Sequence, residues 1–400
     1  MTLGKSSSRE RMLAAITRQG PDHIPFSPIL AQGPEWQAPL FWRDQIERAE
    51  RMLELGLDPT IDIWLPDPQP HREVVIRSWR EHKGPEVLIT KEYHTPAGVL
   101  RQVVRETEDW CNARHGPWIP TTFGVEKRDH FGIDLFDDHN VSRRIEPWVK
   151  GPDDLAKLGY IIRPPNDHVL DEWCMDAQRA MEFARKYDLL TVARRTIVGD
   201  AFQWFCDIPS FILWMNDLPG WVAAFLAVFQ NWSLKLVQLA LELGVDVVQY
   251  RGWYEIPTFW GLKYWKQYLL PSIQAQTQLV HNAGKLHAYL LPGGHGVYGN
   301  ALKDMGLDVL VGIDPRTLHG GDLFGLFDTL GSSKAFWGGI NAEVTLESGD
   351  PARIDEEVRL AVESLGRNGG LILSAILFAS VPRQSIMLMI EAWRKYCLSK

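Results

Sequence analysis

The sequence predicts an α/β protein of the (β/α)₈-barrel class, with an inserted hairpin and loop region in its N-terminal third. Two observations carry this. From Pro152 onward, short runs rich in Val, Leu and Ile, bounded by Gly or Asp, alternate with longer stretches of helical periodicity. Strands without polar alternation belong to a parallel sheet covered on both faces. An N-terminal strand plus at least six later ones brings the number to about eight, that of a closed barrel. An open doubly wound sheet is the alternative, and the lack of a GxGxxG turn after any strand weakens it.

Residues 9–18 place Met12, Leu13, Ala15 and Ile16 at helical spacing, and Gly20-Pro21 stops the helix. Ile24-Pro25-Phe26 reads as the first strand. Residues 45–55 form an amphipathic helix closed by Gly56. Residues 87–105 alternate apolar and polar around Thr95-Pro96-Ala97-Gly98, the signature of a hairpin. Residues 107–144, rich in Gly, Pro, Trp and charge, are either an inserted β-rich subdomain or long barrel loops. No linker separates them. Residues 9–400 therefore read as one domain with an insertion at about 85–145, after a flexible N-terminus at residues 1–8. Helices are then expected at 153–158, 170–187, 219–243, 260–283, 297–305, 323–330, 351–365 and 382–397. Strands are expected at 189–193, 245–250, 286–291, 309–313, 335–338 and 370–375.

Composition narrows the class. A chain of 400 residues can bury a large core, and its formal net charge of −8 argues against a nucleic-acid surface. Cys111, Cys174, Cys206 and Cys397 form no CxxC pair, which reads as reduced thiols and a cytoplasmic setting. The first residues lack the apolar core of a signal peptide. The most apolar stretch, 221–243, carries Gln230, Asn231, Lys235, Gln238 and Glu242, so it reads as a helix of a soluble fold, not a membrane span. Of the 17 tryptophans, Trp204, Trp214, Trp221, Trp232, Trp253, Trp260 and Trp265 crowd one region. Core packing explains such a cluster first, and a flat aromatic ligand pocket second.

Arg9-Glu10-Arg11, Ala14-Ala15-Ile16 and Pro21-Asp22-His23-Ile24-Pro25 make an opening helix and first strand. Gly244-Val245-Asp246-Val247-Val248, Leu269-Leu270-Pro271, Lys285-Leu286-His287-Ala288-Tyr289, Gly306-Leu307-Asp308, Gly338-Gly339-Ile340-Asn341, Gly369-Gly370-Leu371-Ile372-Leu373 and residues 391–396 follow in order. These pieces, in this order, resemble the uroporphyrinogen decarboxylase and corrinoid-methyltransferase superfamily. The resemblance implies a barrel acting on a small molecule at a methyl or carboxyl group. Methyl transfer from an O- or N-methylated compound to a corrinoid or folate carrier is favoured, with a corrinoid protein as a candidate partner. Cofactor-independent decarboxylation is the runner-up, and a barrel that binds without catalysis is the third reading. No tightly bound cofactor is expected, nor contact with nucleic acid or membrane. A homodimer remains a candidate assembly.

Two departures shape these expectations. Pro28-Ile29-Leu30-Ala31-Gln32-Gly33-Pro34 stands where the decarboxylase carries an arginine-rich segment, which argues against porphyrinogen decarboxylation. His287-Ala288-Tyr289 replaces the His-x-Cys of zinc-dependent relatives, and Ser374-Ala375-Ile376-Leu377 supplies no second thiol. Without soft thiolate ligands zinc is not expected. A metal held by His287, Glu255 and Glu343 is the alternative.

Barrel sites lie at the C-terminal ends of strands. That rule nominates His287 as acid, base or ligand. It nominates Glu343 to protonate a leaving group, against the bland role of a helix N-terminal carboxylate. It nominates Arg251 to hold an anion, against a structural ion pair. Tyr254, Glu255, Tyr289, Asn341, Arg194 and Trp253 are the expected substrate contacts. Arg194 and Arg195 are adjacent, so at most one faces inward. Asn341 alternatively caps the following turn. The shared expectation is that His287, Arg251 and Glu343 meet in one cavity.

Overall fold

The structure, a computed structural model, describes residues 6–30, 44–107, 118–121, 124–127, 133–377 and 380–398. Cys111, residues 31–34 and parts of the expected N-terminal tail and insertion lie outside the described residues. The strands are β1 (Ile29–Leu30), β2 (Thr60–Trp64), β3 (Val75–Lys83), β4 (Glu86–Thr95), β5 (Gly98–Glu106), β6 (Trp118–Thr121), β7 (Gly124–Lys127), β8 (Arg144–Glu146), β9 (Leu190–Ile197), β10 (Val247–Arg251), β11 (Leu286–Leu290), β12 (Val309–Ile313), β13 (Ala335–Ile340) and β14 (Leu371–Leu377).

Eight of these form one curled parallel sheet in the order β1-β14-β13-β12-β11-β10-β9-β2. Successive side chains of a strand point to opposite faces. Leu190, Val192, Val247, Ala288, Leu290, Val309, Val311, Ala335, Trp337 and Ile372 therefore share the concave face. Their neighbours Ala193, Val248, Tyr250, Tyr289, Leu310, Phe336, Leu371 and Leu373 pack outward in the larger core that includes the helices. Helix Ser8–Ile16 joins the concave cluster through Met12, Ala15 and Ile16. It is started by a Ser7–Glu10 capping box. Arg9 holds Asp246 at 2.7 Å and Arg11 holds Asp58 at 2.6 Å, and both acids precede strands, so this helix sits at the strands' N-terminal ends.

The two ends of the strand order are not joined by a ladder among the described residues. Side chains satisfy the free edge of β2 instead. Gln45 donates from Nε2 to the Asp62 carbonyl at 3.1 Å, and its Oε1 accepts the Asp62 N–H at 2.9 Å. Arg48 donates to the Thr60 carbonyl at 3.1 Å. One backbone bond crosses the gap, from Asp58 N–H to the Phe26 carbonyl at 2.9 Å. Helix Gln45–Glu54 thus covers polar groups that a neighbouring strand would otherwise pair.

The expected first strand at Ile24-Pro25-Phe26 is reduced to a bridge from Phe26 to Leu373. The hairpin expected at 87–105 is the β4–β5 pair of a four-stranded antiparallel sheet, β3-β4-β5-β8, that begins earlier. Most of β3 is exposed and charged, so it carries no apolar alternation to read. The helix expected at 260–283 is broken. Gly261 takes φ 56, and a π-helical turn at Trp265–Leu269 precedes helix Leu270–Asn282. Pro219–Leu243 is long and apolar enough by composition to cross a membrane. Here one face is buried along Val222, Phe225, Phe229, Trp232, Leu236 and Ala240. Ser233 on that face accepts the Ile197 N–H at 3.0 Å and so ties the helix to β9.

Replacing Gln45 with Ala strips both edge groups of Asp62 of their partner. The expected cost is about 2–4 kcal/mol, since each buried unpaired group costs roughly 1–3 kcal/mol. A urea unfolding midpoint unchanged from the parent contradicts this account of the seam.

Candidate functional site

A cavity of about 300 Å³ opens at the C-terminal ends of β10 to β14 and β1. Small residues make its floor. Gly312, Gly338 and Ser374 line it from three adjacent strands, where larger side chains would fill the space. Gly338 has φ 152, and a Cβ there would collide with the backbone of Ile313, so the position accepts only glycine. Ser374 is fully buried, and its hydroxyl finds only the neighbouring Ala375 carbonyl, at 3.3 Å. The walls are apolar and aromatic, from Ile29, Trp253, Phe259, Ile340 and Ile376. Asp314, Thr317, His319 and Glu343 supply polar groups, and the described lining holds no Lys or Arg.

Asp314 follows β12. Its carboxylate accepts from Asn341 Nδ2 at 2.8 Å and from the Arg316 N–H at 2.7 Å. Burial shifts it upward from the usual aspartate value, and these bonds counter that only in part. Asn341 does a second job. Its Oδ1 accepts the N–H groups of Val344 at 2.6 Å and Thr345 at 3.1 Å, capping the turn that starts at Ala342. Glu357, buried behind it, accepts the Asn341 N–H at 2.5 Å. Glu343 stands exposed in the first turn after the cap, with no hydrogen bond or ion pair from the described residues.

The loop after β10 is fixed by two buried acids. Asp200 binds Arg251 and accepts the N–H groups of Trp253 at 3.0 Å and Tyr254 at 2.7 Å. Burial lifts Asp200 to about 6, against the pull of Arg251. Glu255 accepts from Tyr250 Oη at 2.8 Å, Tyr289 Oη at 2.7 Å and the Gly199 N–H at 2.9 Å. Burial first, then the nearby Asp200 charge, lifts Glu255 to about 8. A Cβ at Gly199 would strike the Glu255 carboxylate, so the cage closes only around glycine. This scaffold turns Trp253 and Tyr254 toward the cavity.

The expected convergence of His287, Arg251 and Glu343 does not occur. His287 is the second residue of β11, near the strand's N-terminal end, and its parity points it away from the concave face. It is fully buried, its Nδ1 is 2.8 Å from Thr277 Oγ1, and burial lowers it to about 3. The reading of His287 as a strand-end residue is corrected: β11 ends at Leu290. Arg251 ends β10, but Asp200, Asp138 at 3.1 Å and the Trp204 ring at 4.8 Å enclose its guanidinium. It is an internal clamp. Glu255 and Tyr289 lie behind the cavity and bind each other. Arg194 does face inward, bonded to Gln249 at 2.6 Å and Asp62 at 2.8 Å, while Arg195 takes φ 93 and pairs with Asp67. Trp253, Tyr254 and Glu343 line the cavity, and Asn341 positions Asp314. The alternative metal set is not assembled, because His287, Glu255 and Glu343 occupy three separate surroundings. Among the described residues no cluster of three His, Cys, Asp or Glu has a metal-binding arrangement.

The residues missed from sequence are Phe259, His319, Gly312, Gly338 and Ser374. The Gly338-Gly339 pair inside an apolar strand was a readable signal for a close approach. The tryptophan cluster is mostly core. Trp232, Trp260 and Trp265 are buried, and Trp253 is the one tryptophan of the described cavity lining.

No sequence-family model matches the chain, and no curated protein matches it in sequence. Among solved structures it is similar to a methyltransferase from Methanosarcina mazei, with TM-score 0.59 at 14% identity, covering 98% of this chain and 99% of that one. A B12-independent methionine synthase from Shewanella sp. W3-18-1 aligns at TM-score 0.38 and 10% identity, over 56% of this chain and 67% of that one. The first likeness shows that the fold runs nearly end to end with the archaeal protein.

Glu255 also sets a pH dependence. Its native form holds a proton up to about 8, whereas the unfolded chain releases it near 4.5. The native state then binds more protons, and stability falls as pH rises through that window. Buried His287 works in the opposite sense below 6.5. Between pH 6.5 and 8 the thermal midpoint should therefore drop by about 2 °C from this group. Glu255→Gln should flatten that drop, and an identical slope in the variant contradicts the assignment.

Proposed function

We propose that this chain is a (β/α)₈-barrel methyl-transfer enzyme that binds a small methylated compound in the cavity at the strand ends. Closure of the sheet across the Gln45–Arg48 seam belongs to this proposal. The carrying observation is the cavity: a floor of Gly312, Gly338 and Ser374, aromatic walls, and Asp314 and Glu343 on the rim. Apolar surface with a few convergent polar groups suits a small organic ligand. The fold shared with the archaeal methyltransferase supports the reaction class. The methyl acceptor is a corrinoid, carried by a partner protein, or a folate. Decarboxylation is the weaker reading, because the described lining offers no Lys or Arg to hold a carboxylated substrate.

A second reading has its own support. A barrel that binds without catalysis should have an aromatic cavity and no convergence of His287, Arg251 and Glu343, and the described site has both features.

The purified protein, supplied with methylamines, quaternary ammonium compounds and methyl ethers, should methylate reduced cobalamin or tetrahydrofolate, read as methylcobalamin absorbance or methylfolate by mass spectrometry. Ligand binding without transfer to either acceptor supports the binding-only reading. Carbon dioxide release from carboxylated pyrroles would overturn both.

A further inference from the structure

We propose that the cavity selects a quaternary methylammonium cation as its methyl donor, a step that rests on the methyl-transfer reading above. The charge pattern points there. The described lining carries two carboxylates, Asp314 and Glu343, with His319 as its only basic side chain. Asp314 accepts from neutral groups, Asn341 Nδ2 and the N–H groups of Arg316 and Thr317, and the charge of Arg316 acts on it only as a weaker influence. The Arg316 guanidinium is turned toward Glu357, at 3.6 Å. Glu343 has no cation of its own among the described residues. Carboxylates that line an aromatic pocket and form no ion pair with the described residues are complemented by a cationic ligand.

The walls fit the same ligand. Trp253, Tyr254 and Phe259 line the cavity together, the first two with the Arg251 guanidinium, itself outside the described lining, 5.8 and 5.5 Å from their rings, and aromatic faces attract cations too methylated to donate hydrogen bonds. Nothing in a quaternary ammonium requires a donor. The floor glycines and Ser374 leave room for a compact group against the strand ends. The cavity volume of about 300 Å³ suits a small ligand of this kind.

A quaternary ammonium also needs less of the cavity. An ether must be protonated, or polarised by a Lewis acid, before its oxygen leaves. Of the two expected acids, His287 lies outside the cavity and Glu343 stands exposed on its rim. In a quaternary ammonium the leaving group is already activated. The methyl C–N bond breaks, its electron pair stays on nitrogen, and a neutral tertiary amine departs. The methyl carbon takes the electron pair of a nucleophilic acceptor, the reduced cobalt of a corrinoid. No proton moves. The carboxylates and rings bind and orient the cation, and the acceptor supplies the nucleophile.

The test is calorimetric titration of the full chain with choline and with 3,3-dimethylbutan-1-ol, which has the same shape without the charge. Choline should bind at least about tenfold more tightly. Asp314→Asn and Trp253→Leu should each erase most of that preference, and Glu343→Gln should reduce it without touching the buried network. Equal binding of the two compounds, or binding of neither, overturns the cation proposal. Methyl transfer from ethers by a protein that ignores choline overturns it too, yet leaves the methyl-transfer reading standing. Tight, charge-selective binding of choline with no transfer to any acceptor supports the cation site and overturns the reaction.

Discussion

A parallel strand must hand alternate residues to opposite faces, and where three neighbouring strands of this sheet reach the cavity they have almost nothing to hand over. Ser374 follows Ile372 on the concave face of β14 with only a hydroxymethyl group, while β12 and β13 leave strict alternation after Val311 and Trp337, where the register shifts and Gly312 and Gly338 take positive φ. The concave face is therefore packed below and hollow above. The backbone enforces this at Gly338, where the approach of Ile313 leaves no room for any side chain. The cavity is a property of the sheet and does not depend on a loop happening to stand open.

The rim depends in turn on buried acid. Asp200 and Glu255 sit beneath the loop after β10 and take up its N–H groups and the tyrosines around it. Two carboxylates so close in a dry interior hold protons more firmly than either would in water. Their role is positional: they orient Trp253 and Tyr254 without entering the cavity. Arg251 completes the scaffold, and its charge is spent on Asp200 and Asp138. An ion pair with every partner inside the protein has little left for a substrate.

Much of the fold was legible because the signal is local. Strands β9 to β14 are apolar runs of five to eight residues between glycines and helices, and Leu323–Leu330 and Pro351–Leu365 lie where the periodicity puts them. β2 was missed because Thr60-Ile61-Asp62-Ile63-Trp64 puts a charged residue on the concave face, where its carboxylate meets Arg194. The site was less legible for the same reason that makes it work. Strand-end position could nominate Arg251, Trp253, Tyr254 and Glu343, but sequence spacing does not reveal which nominees spend their charge on one another. His287 was misplaced by taking a residue near the start of a strand for one at its end, a slip of three residues that moves a side chain to the opposite end and face of the sheet. The floor residues carry no functional group, so only their smallness marks them, and smallness has meaning only once neighbouring strands are in register.

The most direct measurement is the ligand-binding profile of Ser374→Leu. This change places a branched side chain on the cavity floor and leaves the rim acids and the network behind Trp253 as they are. Screened beside the parent against one panel of methylated small molecules, the variant should fold with a similar circular dichroism spectrum and lose every ligand the parent binds. A variant that keeps the same ligands at the same affinities would show that this cavity is not where the protein meets its substrate.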